Sequence, residues 1–274
     1  GGAHYAENDE LSRISDVRSS WKFYELSGTQ GYYLQGTYGG FYLYQKMNEA
    51  SDVPLKLLGK IEGFDESSRI FEEDEEGYIR VSHAYRGLFR LKPDYENLRF
   101  EEVRRLGVSE GLPEDLYMTV SKIRNEMVFA TMNGIYRFDR AKNEFIVHDE
   151  LTLLLGEDRS VERLVEDQLG NIWFSTENEF GLVEILETGL YNDVEVVYFN
   201  KIQNELVVGF ENVFTLTNDA AFIPVESGFY KYKLKRTAEP PEFEYPLRIS
   251  EIYLLGEEDS LLYSYFANDT LAAT

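Results

Sequence analysis

The sequence predicts an all-β protein, a β-propeller of about five to six four-stranded blades with a period of 47 residues. One observation is a strand–turn–strand unit, Val165-Glu166-Asp167-Gln168-Leu169-Gly170-Asn171-Ile172-Trp173-Phe174-Ser175-Thr176, closed by Phe180-Gly181-Leu182-Val183-Glu184-Ile185. An apolar-alternating run reaches Asp167, a Gly follows three residues on, and a second run with Trp173 begins at once, the pattern of an antiparallel hairpin. Asp at the head of a turn bonds back to the following amides, and Gly170 accepts the positive φ that closes it. A second observation is recurrence: the glycine that opens the later strand falls at 40, 87, 134 and 181, 47 apart each time. The third is the aromatic content, 15% of residues and mostly Tyr and Phe, which suits sheets stacked face to face. A sandwich or jelly roll gives no reason for constant spacing.

Residues 1–20 are polar, with Leu11, Ile14 and Val17 at helix-like spacing, and read as a lead-in or partial blade. Residues 21–222 carry the blades. The first has its copy of the unit at Gly31–Thr37 and Gly40–Tyr44, a polar loop over 48–53, and an outer strand at Leu55–Ile61. The second runs from Phe71-Glu72-Glu73-Asp74-Glu75-Glu76-Gly77-Tyr78 through Arg86-Gly87-Leu88 to about Val103. Gly111-Leu112-Pro113 is a crossing, because Pro113 forbids a central strand. In the third blade Asn125-Glu126 forms a shortened turn between Lys122 and Met127. Leu151–Gly156 reads as one helical turn or a short strand. The fourth blade holds the reference unit. The fifth is expected from Glu195 to Leu216, with Gln203–Gly209 and Asn212–Leu216 as its copy, although the glycine position has become Asn212 after only 31 residues. Residues 223–274 hold alternating runs at Tyr230–Lys235 and Leu247–Leu255 separated by Pro240-Pro241, either a last blade or the start of a following β-sandwich domain. The blade count and the ends, Gly1-Gly2-Ala3 and Leu271–Thr274, lead us to expect a fragment of a larger propeller.

Charge and composition narrow the function. Fifty acidic against 27 basic residues give a net charge of -23, which repels phosphate backbones and anionic lipid, so direct nucleic-acid binding by this segment is not expected. No apolar run is long enough to cross a bilayer, so no membrane insertion by this segment is expected either. The absence of cysteine excludes disulfides, thiolate metal sites and a Cys nucleophile, and is compatible with a periplasmic setting.

Glu166-Asp167-Gln168-Leu169-Gly170-Asn171-Ile172-Trp173-Phe174-Ser175-Thr176 with Gly181-Leu182 resembles the repeat of two-component regulator propellers, as does Gly63–Arg69 running into Glu72-Glu73-Asp74 and Val81-Ser82-His83-Ala84-Tyr85-Arg86-Gly87-Leu88. The match covers most of residues 31–216. Arg80 stands where the repeat has the Trp found at Trp173, and Met127 and Leu206 hold the comparable places in the shorter copies. The resemblance implies a periplasmic sensor region, the extracytoplasmic part of a membrane-anchored bacterial regulator. In that family the propeller is followed by a β-sandwich domain named for three tyrosines, a membrane span, and a histidine kinase or helix-turn-helix output. The segment Pro246–Leu254 with Asp259–Tyr263 is similar to the lead into that sandwich.

Ligands of propellers bind where loops of several blades converge. The loops before the later strands offer Tyr38, His83, Tyr85, Arg86, Asn133, Asn178 and Phe180 as candidate ligand-binding residues; the alternative is a set of solvated loop tips. Trp173 reads as a wedge between blades, and Glu72–Glu76 as a solvated hairpin rather than a calcium loop, whose alternating spacing it lacks. His4, His83 and His148 fall in unrelated contexts, and no Gly-x-Ser-x-Gly, His-Glu-x-x-His or phosphate-cradling loop occurs. No catalytic residue, metal site or cofactor is therefore expected. The reading is an extracytoplasmic ligand-binding sensor of a bacterial signal-transduction or transcription regulator. Its partners are a small-molecule or oligosaccharide signal and, in the full receptor, a second copy. The alternatives are a polysaccharide-acting propeller hydrolase or lyase, and a non-catalytic protein-interaction scaffold.

Overall fold

A computed structural model describes residues 2–7, 10–47, 54–157, 159–185, 194–207, 212–217, 220–234, 251–254 and 260–264. Two compact units divide at 237/238. The first unit is the propeller. It opens with a hairpin, β1 (Ala3–Glu7) and β2 (Glu10–Ser15). Leu11 and Ile14 therefore lie in a strand despite their helix-like spacing, because the strand ladder pairs Leu11 with Ala6. Blade one follows as β3 (Ser20–Glu25), β4 (Tyr32–Thr37), β5 (Gly40–Lys46) and β6 (Leu55–Ile61). Blade two is β7 (Ile70–Glu73), β8 (Ile79–His83), β9 (Gly87–Asp94) and β10 (Arg99–Leu106). Blade three is β11 (Thr119–Ile123), β12 (Glu126–Thr131), β13 (Gly134–Asp139) and β14 (Glu144–Val147). The helix α1 (Asp149–Leu155) crosses to blade four, which is β15 (Arg163–Glu166), β16 (Ile172–Ser175), β17 (Phe180–Ile185) and β18 (Val194–Tyr198). A three-stranded fifth sheet comprises β19 (Phe214–Thr217), β20 (Ala220–Val225) and β21 (Gly228–Lys233). All these pairings are antiparallel between sequence neighbours. The second unit holds a hairpin of β22 (Glu251–Leu254) and β23 (Ser260–Ser264).

The cores lie between blades rather than within them. Phe41, Phe64 and Phe100 from blade one and its neighbour meet Phe71 and Val81, while Leu88, Val120 and Phe129 join blades two and three. Ala130, Leu151, Leu164 and Phe174 join three to four, and Trp173, Phe180, Leu182 and Ile223 join four to the fifth sheet. The second strands of blades two and four are therefore buried on both faces, with polar Arg80 and Ser82 among the buried residues of β8. All four residues of β16 are buried, as are the first four of β8.

The aspartate turns are built as the sequence predicts. Asp167 Oδ1 accepts the amides of Leu169 (2.9 Å) and Asn171 (3.0 Å), and Gly170 closes the turn at φ +79°. Its other oxygen takes Trp173 Nε1–H at 3.0 Å, tying the turn to the interblade ring. Asp74 accepts the amides of Glu76 and Tyr78 in the same way, with Gly77 at φ +80°. Arg80, which replaces Trp at this place, donates its Nε–H to Asp74 Oδ2 over 2.8 Å. The departure from the repeat keeps its hydrogen bond: in both blades a nitrogen donor reaches the second aspartate oxygen.

Three expectations need correction. The short turn in blade three centres on Arg124-Asn125, not Asn125-Glu126; both residues are left-handed, at φ 50° and 64°, which a two-residue hairpin requires. Val194–Tyr198, placed at the start of the fifth blade, is the outer strand of blade four. In the expected fifth copy, Gln203–Glu205 forms a 3-10 turn and Leu206 bridges to Val225, so the sheet begins only at Phe214 and runs to Lys233. Val208 and Gly209 of that copy, the 48–53 loop and the Pro240-Pro241 break lie outside the described residues.

Candidate functional site

The loops between second and third strands meet the connections that lead to the next blade, and together they form one face. In blade one, Thr37 Oγ1 donates to the Gly40 carbonyl and accepts the Gly39 amide, fixing the β4–β5 turn. Thr131 does the same for Gly134 and Asn133, and Thr176 accepts the Asn178 amide. The shared threonine gives Tyr38, Met132 and Glu177 matching places on the three turns. Gly40 sits at φ +96°, and a Cβ there would stand 2.1 Å from the Phe64 carbonyl oxygen. Gly181 keeps the 47-residue spacing for another reason: its φ is not left-handed, and a Cβ would lie 2.3 Å from the Phe174 ring.

The turns of blades one and three are clamped by the connections beside them. Gly40 N–H donates to the Glu66 carbonyl at 3.0 Å and Ser68 N–H to the Thr37 carbonyl at 2.8 Å. Met132 N–H donates to Glu114 Oε1, and Val161 N–H to the Thr131 carbonyl.

Between blades one and two the face gathers polar and aromatic groups. Arg86 Nη1 lies 2.8 Å from Glu66 Oε1, and His83 Nε2 lies 3.7 Å from Glu66 Oε2. Tyr85 N–H donates to His83 Nδ1 at 3.2 Å, so Nδ1 is an acceptor and the ring proton belongs on Nε2, facing the carboxylate. Tyr85 is 82% exposed and Tyr38 61%. The Tyr38 ring leans on Trp21, with centroids 4.4 Å apart, and the Arg69 guanidinium lies 5.3 Å from the same indole. Glu66 therefore ties two loops together, its carboxylate holding Arg86 and its carbonyl holding the turn that carries Tyr38. The arrangement presents rings for stacking beside two guanidiniums, an imidazole and a carboxylate, a set that recognises hydroxyls and anions.

Of the sequence candidates, His83, Tyr85 and Arg86 come together around Glu66, and Tyr38 stands against Trp21 on the turn that the Glu66 carbonyl holds. Asn133 and Asn178 are exposed on the equivalent turns of blades three and four, and among the described residues neither hydrogen-bonds to this cluster. Phe180 is 3% exposed and stacks on Trp173 at 6.0 Å: it begins β17 and belongs to the interblade core, with no free surface for a ligand. Trp21, Glu66 and Arg69 were not among the candidates. Glu66 and Arg69 lie in the Gly63–Arg69 stretch, whose resemblance to the propeller repeat is their only signal in the sequence.

Further cavities lined by described residues lie elsewhere. One of about 400 Å³ is lined by Glu73, Asp74, Glu75 and Lys122 at the turns between first and second strands. Another, of about 380 Å³, sits between blade four and the fifth sheet. Among the described residues no group of three or more His, Cys, Asp or Glu is arranged to hold a metal ion, and no helix is long and apolar enough to cross a membrane.

No family model matches the sequence. No curated protein matches it either. Solved structures do. The extracellular domain of the putative hybrid two component system BT3049 from B. thetaiotaomicron aligns with TM-score 0.53 at 16% identity, covering 84% of this chain and 30% of that one. The extracellular domain of the putative one component system BT4673 from the same organism aligns with TM-score 0.52 at 12% identity, covering 85% and 32%. The fold is that of these extracellular domains. The chain spans about a third of each.

Proposed function

We propose that this chain is part of an extracytoplasmic sensor region of a bacterial signal-transduction regulator, and that it binds a small-molecule or oligosaccharide signal between blades one and two. The observation that carries the reading is the cluster of Trp21, Tyr38, Glu66, His83, Tyr85 and Arg86, on the face where propeller loops converge. The likeness in fold to extracellular domains of regulators supports the setting. Tyr38 and Trp21 offer an apolar platform for a sugar ring, and Arg86 and Glu66 offer a donor and an acceptor for its hydroxyls. To pass a signal, the ligand has to favour one of two arrangements of the full receptor, a dimer in this reading.

The test is a thermal-shift screen of the chain against a panel of oligosaccharides, since a ligand that binds only the folded state raises the midpoint by mass action. A hit is expected to weaken in Arg86→Ala and Tyr38→Ala, with the ligand-free midpoint nearly unchanged because both side chains are exposed. Unaltered affinity in Arg86→Ala counts against this site. Release of cleaved product counts against the sensor reading and favours a polysaccharide-acting enzyme.

A further inference from the structure

The cavity between blade four and the fifth sheet belongs to neither the loop cluster nor the turns. Strand alternation decides which side chains enter it. Tyr230 stands opposite Ile223, and Tyr232, two residues on, shares their face. Lys231 points the other way, with its ammonium 5.8 Å from the Phe222 ring, and Tyr198 turns its ring edge-on to Phe174. The side-chain walls are therefore Phe199, Ile202, Ile223, Tyr230 and Tyr232, with Asn200 and Lys201 at the mouth.

The walls are held from behind. Phe199 stacks on Trp173 at 5.6 Å and 21°, and meets Tyr232 edge-on at 4.9 Å. Tyr232 donates its hydroxyl to Glu184 Oε2 at 3.4 Å, and Glu184 is fully buried beneath it. Burial first, with Glu184 adding, pushes the Tyr232 phenol up to about 12, so it remains a donor at neutral pH. Among the described residues the lining contains no carboxylate. Lys201 is exposed at the mouth, and among the described residues it has no carboxylate partner, in a chain of net charge -23. An aromatic slot of about 380 Å³ lies at the small end of the range for ligand pockets, roughly 300–1,000 Å³. That suits a single ring rather than a chain of them.

We propose that this cavity binds a small ring compound bearing a carboxylate, its ring against Phe199 and Tyr230 and its carboxylate on Lys201 Nζ. The acid can be alicyclic or a sugar acid; the chemistry shared by both is an apolar ring face and one negative group. This is a second ligand site, independent of the one between blades one and two.

Calorimetric titration of the chain with cyclohexanecarboxylate against cyclohexanecarboxamide, and with glucuronate against glucose, tests it. At least one acid should bind about tenfold or more tightly than its neutral counterpart, the worth of a hydrogen bond to a charged group. Which acid does so names the source. Lys201→Met should abolish the preference, Tyr230→Ala should weaken acid and neutral probe together, and Arg86→Ala should change neither. Equal affinity of each acid and its neutral partner, a preference that survives Lys201→Met, or no binding by any of the four overturns the proposal.

Discussion

Replacing Arg80 asks what the repeat position supplies: a ring for packing, or a donor for the turn aspartate. The Arg80 and Asp74 side chains are 5% and 4% exposed, and Nε–H reaches Oδ2 at 2.8 Å. In Arg80→Leu the carboxylate stays buried and keeps only the amides of Glu76 and Tyr78. Breaking a buried pair by removing one partner costs roughly 3–5 kcal/mol, and the two retained amides place the expected loss near the lower bound, about 3 kcal/mol. In Arg80→Trp the indole N–H takes the place that Trp173 holds against Asp167. A hydrogen bond to a charged acceptor restores about 1.5–3 kcal/mol, less about 1 kcal/mol for crowding. The crowding arises against Phe138, whose ring lies 5.5 Å from the guanidinium carbon. The Trp variant should therefore be about 0.5–2 kcal/mol more stable than the Leu variant. Urea unfolding of all three proteins, fitted with a common slope, measures both differences. A Leu variant within about 1 kcal/mol of the parent, or a Trp variant no better than Leu, refutes the equivalence of the two blades.

Gly40→Ala should destabilise by more than about 2 kcal/mol, because it combines a left-handed φ with a carbonyl in the way of the new methyl. Gly39→Ala, where a Cβ meets nothing within 4 Å, should stay within about 0.5 kcal/mol of the parent in the same urea assay. Glu166 titrates above its ordinary 4.5, chiefly through burial, with the Arg124 amide and charge offsetting part of the effect. The folded state then holds the proton more tightly than the unfolded chain. The stabilisation is full below pH 4.5 and is lost as pH rises through the raised value. Glu166→Gln should accordingly gain on the parent between pH 4 and pH 7, and unfolding midpoints that keep a constant difference across that range contradict the assignment.

What the sequence discloses is local, and what it conceals crosses between blades. Asp74 with Gly77 and Asp167 with Gly170 were legible because a turn is specified by residues a few positions apart. The role of Arg80 was not, since a guanidinium and an indole share nothing as letters and become equivalent only when both reach an aspartate oxygen. Gly181 shows the converse: it keeps the spacing of Gly40 but answers to a phenyl ring rather than to a left-handed turn. The fifth sheet starts later than the sequence suggests, because the alternation around Leu206 marks a strand-like run without naming its partner. That partner is Val225, well down the chain. By sequence Phe180 falls with the loop residues, because nothing local reveals that β17 starts one residue before its glycine.

The candidate site follows the same division, and this bears on how it works. Tyr38, His83, Tyr85 and Arg86 could be read from their positions before a strand, but Glu66, which joins them, comes from the connection between blades. A ligand anion that draws Arg86 away leaves the Glu66 carboxylate with His83 alone, while the Glu66 carbonyl still holds the Gly40 turn. At the proposed site, binding of such an anion would act on the contact between two blades rather than within either one. The interblade cores make that contact the natural place for a response: each blade is held by its own ladder, and it is joined to the next by packed side chains and a few backbone bonds, such as Phe100 N–H to the Glu62 carbonyl.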